Sequence, residues 1–162
     1  MKMLTLFHGS NQIFNKVDLS QSKDKRDFGR GFYLTTLQKQ AEDWAENMYI
    51  RYGGEGKFVY IFEFEENTSL KIKRYTGLNE DWLEMIKENR TKGNIQHVYD
   101  VVYGPVANDN TIRTIALYIA GIYSSDAALE QLKYFKANNQ LSVHTEKALK
   151  YLRFIRRIDS GK

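Results

Sequence analysis

The chain of 162 residues contains no cysteine and a single proline, Pro105. The first absence removes disulfides, thiolate metal sites and cysteine nucleophiles together, and it suits a reducing compartment. The second leaves few rigid linkers and marks no boundary, so the whole chain, 1–162, is read as one domain. Histidine is equally sparse. His8, His97 and His144 show no ligand spacing, and no metal site is expected. No apolar run approaches the length of a membrane span, and the opening Met1-Lys2-Met3-Leu4-Thr5-Leu6-Phe7 meets a histidine too early for a secretory signal. A cytoplasmic protein without membrane contact is the expectation. The GxxxxGK[ST] phosphate loop, the HExxH helix, the GxSxG elbow and the EF-hand loop are all missing, and the families built on them are excluded.

What the chain does have is aromatic residues, at 14%, and a modest positive charge of +4 that permits attraction to an anion such as a dinucleotide or a nucleic acid. Its most informative stretch is Asp27-Phe28-Gly29-Arg30-Gly31-Phe32-Tyr33-Leu34-Thr35-Thr36. Gly29 and Gly31 free the backbone for positive φ or a tight approach, and the residues after them read as a short strand. A helix follows, with Thr35 as predicted N-cap, Gln38 three residues on, and Leu37, Ala41, Trp44, Ala45 and Met48 on one face. If that face folds over the strand, Tyr33 and Trp44 can stand roughly 7 Å apart, a slot for one flat ring such as a pyridinium.

Further strands are predicted over Met3 to His8, Phe58 to Phe64, Leu70 to Lys73 (as partner of the preceding strand), Tyr99 to Tyr103 and Gln140 to His144. Helices are predicted from about Glu80 to Arg90, from a cap at Asp109 or Asn110, from a cap at Ser125, and from Thr145 to the end. The last would carry Lys147, Lys150, Arg153, Arg156 and Arg157 as a basic stripe opposite Leu149, Leu152 and Ile155, a solvated face or a surface for a nucleic acid or acidic partner. Strands and helices alternate irregularly and no glycine fingerprint follows the first strand, so the class is α+β rather than a doubly wound sheet.

Phe7-His8-Gly9-Ser10, followed by Phe28-Gly29-Arg30-Gly31-Phe32-Tyr33-Leu34, resembles the first two signature motifs of the ADP-ribosyltransferases of the His-Tyr-Glu clade, which includes the poly(ADP-ribose) polymerases and diphtheria toxin. Trp44 stands eleven residues after Tyr33, where that clade has a second stacking aromatic. Over nearly its whole length, including Gly104-Pro105-Val106-Ala107-Asn108-Asp109 and Asn139-Gln140-Leu141-Ser142-Val143-His144-Thr145, the chain resembles a bacterial family of ADP-ribosyltransferase-like proteins known only as a domain of unknown function. The fold implied is a split antiparallel β core flanked by helices.

The resemblance also implies a ligand set. His8 would hydrogen-bond the adenosine ribose of NAD, Gly9 would offer backbone N–H and C=O to the nicotinamide carboxamide, Ser10 would reach the nicotinamide ribose, and Tyr33 and Trp44 would sandwich the nicotinamide. A side chain at Gly9 would then block the ligand while leaving the fold intact. Arg30, and less directly Arg26, could meet the diphosphate. Where the clade has its glutamate this chain has Gln140, which can orient a ribose hydroxyl but carries no charge and removes no proton. Asn108 and Asp109 could line the acceptor side, and Glu146 lies near Gln140 but in a helical first turn. Transfer of single ADP-ribose units to a protein or nucleic-acid acceptor is the activity implied, by relatives as the toxin of a toxin-antitoxin pair with an antitoxin protein as partner. The alternatives are a catalytically idle NAD or ADP-ribose binding module and a basic nucleic-acid-binding protein.

Overall fold

The structure is a computed structural model that describes residues 2–107, 111–134 and 139–160. Seven strands form one sheet: β1 (Lys2–Ser10), β2 (Phe32–Thr35), β3 (Phe58–Glu66), β4 (Ile72–Arg74), β5 (Val101–Pro105), β6 (Asn139–Val143) and β7 (Leu152–Asp159), in the order β4-β5-β6-β2-β1-β3-β7. All pairs are antiparallel except β4 with β5. The helices are α1 (Gln38–Tyr52), α2 (Glu80–Lys92), α3 (Ile112–Ile119), α4 (Ser125–Leu132) and the single turn α5 (Glu146–Leu149). The fold is therefore α+β, a many-stranded sheet flanked by helices.

The junction between β1 and β2 differs from every other. Most neighbouring strands pair over three to nine residues, but β1 and β2 meet only where Phe7 faces Thr35. The sheet is thus two half-sheets, β4-β5-β6-β2 and β1-β3-β7, hinged on one residue pair.

Strand alternation decides what each face buries. On one face Leu6, Leu34, Phe62, Phe64, Leu141 and Val143 form a continuous core. The other face carries Tyr33 and Val102, covered by Trp82 and Ile86 of α2, Ile115 of α3 and Leu132 of α4. Each such side chain contributes about 1.5–3 kcal/mol by leaving water. Helix α2 starts where its sequence predicts and runs two residues past Arg90: Asn79 Oδ1 accepts from Trp82 N–H, Glu80 and Asp81 sit in the first turn, and Gly93 closes the last. Thr145 caps α5 as expected, whereas α4 is capped by Ser124 and not Ser125. The predicted cap at Asp109 or Asn110 lies outside the described residues.

Three expectations are corrected. Thr35 does not cap α1, whose first residue follows Leu37 without a side-chain cap; Thr35 Oγ1 instead accepts from Leu37 N–H. Strand β4 does not pair with β3 but runs parallel to β5. The terminal helix is replaced beyond Leu149 by β7, along β3 with a bulge opposite Ile61 and Phe62. Strand β3 is nearly all buried, and without β7 its backbone would form a bare edge, so tertiary pairing overrides the helical spacing of Leu149, Leu152 and Ile155. The basic residues consequently form no helical stripe: Lys147 donates to Ser69 O, Arg153 pairs with Glu63, and Arg157 lies over the Phe58 ring.

Helix α1 packs on the half-sheet of β1 and β3 through Ala41, which meets Val59 and Ile61. The approach is so close that a Cβ on Gly9 would stand 2.0 Å from Ala41 O and 3.0 Å from Ala45 N, both backbone atoms. Gly9 is thus demanded by the helix, and a side chain there would not leave the fold intact. Gly9→Ala should lower unfolding stability by at least about 1–3 kcal/mol, read as a lower denaturant midpoint at unchanged slope. An unshifted midpoint would contradict this packing.

Candidate functional site

A cleft of about 730 Å³ opens where the half-sheets part, a volume within the usual range for small-molecule sites. His8 and Gly9 line it from β1, Phe32 and Tyr33 from β2, and Gln140 from β6. One face of α1 lines it with Gln40, Trp44, Asn47, Met48 and Arg51, a run of about 16 Å at helical rise. Loop residues Lys16, Lys23 and Arg26 and the α2 residue Arg90 bring the basic lining residues to five with Arg51, against the acids Asp18, Asp27 and Asp43. The field in the cleft favours an anion.

His8 Nδ1 lies 2.7 Å from the backbone oxygen of Tyr33. A carbonyl only accepts, so Nδ1 carries the proton and Nε2 is left as an acceptor with no partner among the described residues. Burial lowers the pKa of this imidazole to about 4 against the opposing effect of the Tyr33 carbonyl, with Arg26 lowering it further. The ring stacks on Phe32 with centroids 4.1 Å apart. Neutral, oriented and facing the cleft, His8 is built to accept one hydrogen bond.

Tyr33 is held at its far end. Its hydroxyl donates to Gly29 O at 2.7 Å and accepts from Phe28 N–H at 2.9 Å, and burial pushes its pKa well above the ordinary tyrosine value. It has no proton to give near neutrality, so the part available to a ligand is the ring face. Over that face lies Arg26, its guanidinium carbon 4.3 Å from the ring centroid. Trp44, half-buried on α1, makes no ring contact with a described aromatic residue. Gln140 is 5% exposed, and its side-chain amide has no hydrogen-bond partner among the described residues. The cleft is the side on which this nearly buried amide can meet a hydrogen-bond partner.

The loop carrying Gly29 is clamped by two histidines. His144 Nδ1 donates to Arg30 O at 2.7 Å while its Nε2 accepts from Ser142 Oγ, also at 2.7 Å. His97 Nε2 donates to Phe28 O at 2.8 Å, and its Nδ1 accepts from Tyr99 N–H at 3.0 Å. Gly29 itself has φ of 90°, the left-handed conformation expected of it. Nearby, the buried Asp27 carboxylate accepts from Arg90 Nε and from Ala107 N–H, both at 2.6 Å, and so ties the end of β5 to the cleft wall.

Of the sequence-predicted site residues, His8, Gly9, Tyr33, Trp44 and Gln140 converge on the one cleft. Ser10 and Arg30 do not line it. Ser10 is buried with its Oγ accepting from Gln12 N–H, and Arg30 braces the loop through Ser22 O and Asp24. Of the two loop arginines, Arg26 and not Arg30 lines the cleft. Glu146 is exposed in the first turn of α5 and does not reach the cleft, while Asn108 and Asp109 lie outside the described residues. Sequence reasoning missed His97, His144 and the Asp27–Arg90 pair. Their partners are backbone atoms and residues far along the chain, so no local spacing signals them.

Burial depresses all three histidines, His8 to about 4, His144 to about 3 with His97 beside it contributing, and His97 below its ordinary value. In the unfolded chain they take up protons near pH 6.5, so the folded state binds fewer protons below that pH. Stability from neutral histidines is full above pH 6.5 and is lost as pH falls toward 4, with a slope of at most about 1.4 kcal/mol per pH unit for each. Denaturant titrations between pH 7 and 5, above the ordinary carboxylate range, should show this loss; a flat profile would contradict neutral, clamped histidines.

A family model described as protein of unknown function (DUF3990) matches residues 4–154. No curated protein and no solved structure matches the chain. The match runs from β1 into β7 and takes in every strand and helix that lines the cleft, and the chain belongs to the DUF3990 family.

Proposed function

We propose that the cleft binds NAD as a substrate and that the protein transfers its ADP-ribose to a macromolecular acceptor, on an ADP-ribosyltransferase-like split sheet. The observation that carries the reading is the convergence of His8, Tyr33, Trp44 and Gln140, scattered over 133 positions of sequence, on one cleft with an excess of basic residues. Their chemistry suits the ligand. His8 Nε2 is an acceptor for a ribose hydroxyl, and the faces of Tyr33 and Trp44 suit a pyridinium, whose charge gains from the ring quadrupoles. The guanidinium now over Tyr33 makes the same kind of contact, which supports a cationic occupant of that face and requires Arg26 to swing aside when one enters.

In the proposed reaction the bond between nicotinamide nitrogen and the anomeric carbon breaks, its electron pair leaving with neutral nicotinamide. A nucleophilic atom of the acceptor then bonds to the oxocarbenium-like carbon and loses its proton to water. Gln140 accepts from the ribose 2′-hydroxyl and so orients the sugar, but offers no negative charge to the growing positive centre and no base to the acceptor. Single transfers or slow hydrolysis follow from that, not polymer growth. Its neutrality also favours a second reading, a module that binds NAD or ADP-ribose without turnover. The acceptor, protein or nucleic acid, and a protein antitoxin as partner of a toxin, belong to the first reading.

The natural protein should release nicotinamide from NAD slowly, and faster when acceptor is present. Gln140→Glu aims a full charge at the transition state, which is worth roughly 1.4–3 kcal/mol, so nicotinamide release should rise by about ten- to a hundredfold with little change in NAD affinity. Release below detection in the natural protein, with turnover gained in Gln140→Glu, would favour the binding module. No turnover in either would sink the transferase reading.

A further inference from the structure

We propose that Gln40 is a second amide that reads the substrate, and that Gln40 and Gln140 together select the vicinal diol of a furanose. This rests on the NAD reading, in which the sugar is the nicotinamide ribose. Thr35 is fully buried and uses both sides of its hydroxyl: Oγ1 accepts from Leu37 N–H at 3.1 Å and gives its one proton to Gln40 Oε1. One lone pair of the Gln40 carbonyl is thereby engaged, and its two N–H donors have no partner among the described residues while the residue lines the cleft.

Thr35 lies directly opposite Gln140 in the pairing of β2 with β6, which sets their side chains on the same face with Cβ atoms about 5 Å apart. The two amides therefore arise from neighbouring points of one wall, and no hydrogen bond joins them. Gln40 has its carbonyl turned to Thr35 and both N–H donors free, and Gln140 keeps a free carbonyl. A diol satisfies both at once: one hydroxyl oxygen accepts from Gln40, and the other hydroxyl donates to Gln140 Oε1. A ligand that only accepts, such as a phosphate, leaves the Gln140 carbonyl unpaired. Thr35 does not line the cleft and acts only by orienting Gln40.

Calorimetric titration of the full chain with NAD, and separately with nicotinamide, tests this. Gln40→Leu, a half-exposed first-turn position of α1, should bind NAD about tenfold more weakly and nicotinamide unchanged within about twofold. Thr35→Val should lose a smaller part of NAD affinity, and Thr35→Ser, which keeps the hydroxyl, should restore it. With an NAD analogue lacking one hydroxyl on the nicotinamide ribose, the penalty of Gln40→Leu should shrink toward nothing. Unchanged NAD affinity in Gln40→Leu, or an equal loss for nicotinamide, overturns the amide pair and leaves the NAD reading standing. No binding of NAD by the natural protein overturns both.

Discussion

Phe7 opposite Thr35 is the one ladder pair between β1 and β2 among the described residues, and the rest of the molecule is arranged around the gap that this leaves. On a continuous sheet Tyr33 and Gly9 would face each other across a ladder. Here the strands part, the Tyr33 carbonyl is taken by His8 Nδ1 instead, and the space between becomes the cleft. Helix α1 can cover it from the β1 side only because Gly9 has no side chain to hold it off. The same pair explains why Thr35, Gln40 and Gln140 come together, since Thr35 is at once the last link of the junction and the residue opposite Gln140.

Around the gap, rigidity comes from side chains bonded to distant backbone. His97 and His144 hold Phe28 O and Arg30 O, the Tyr33 hydroxyl bonds both sides of Gly29's peptide neighbourhood, and Asp27 grips Ala107 N–H. These bonds involve neutral histidines and a carboxylate already paired with Arg90, so the loop bearing Arg26 is anchored just beyond that arginine. Among the described residues the Arg26 guanidinium has only the ring face of Tyr33, a contact worth about 0.5–2 kcal/mol. A firm frame with one cation held only by a ring face is the physical picture of the described site.

Much of this was legible in sequence, for specific reasons. Dense β-formers at 58–64, alternation at 140–144 and the capped, amphipathic 80–92 stretch carry their own periodicity, and the structure follows them. Tyr33 and Trp44 were legible as a glycine-flanked strand followed by a helix with one apolar face, whereas His8 and Gln140 were singled out only by the resemblance to the ADP-ribosyltransferase motifs; all four line the cleft. The terminal segment misled because leucines and isoleucines three apart mimic a helix, while the bare edge of β3, which recruits β7, is a long-range fact. Arg30 was preferred to Arg26 from the sequence, yet Arg26 lines the cleft, because the direction of a loop side chain depends on partners such as Ser22 O and the Tyr33 ring. The histidine clamps join residues 69 and 114 positions apart, beyond any local pattern.

The central claim is that this cleft takes the nicotinamide end of NAD between Tyr33 and Trp44, and the two tryptophans make it directly measurable. Trp82, on the buried face of α2, is 1% exposed, whereas Trp44 lines the cleft. Titrating NAD into the natural protein should quench tryptophan emission to saturation, and Trp44→Phe should abolish most of that quenching while leaving the Trp82 signal in place. Emission indifferent to NAD, or quenching that survives Trp44→Phe, would contradict the account.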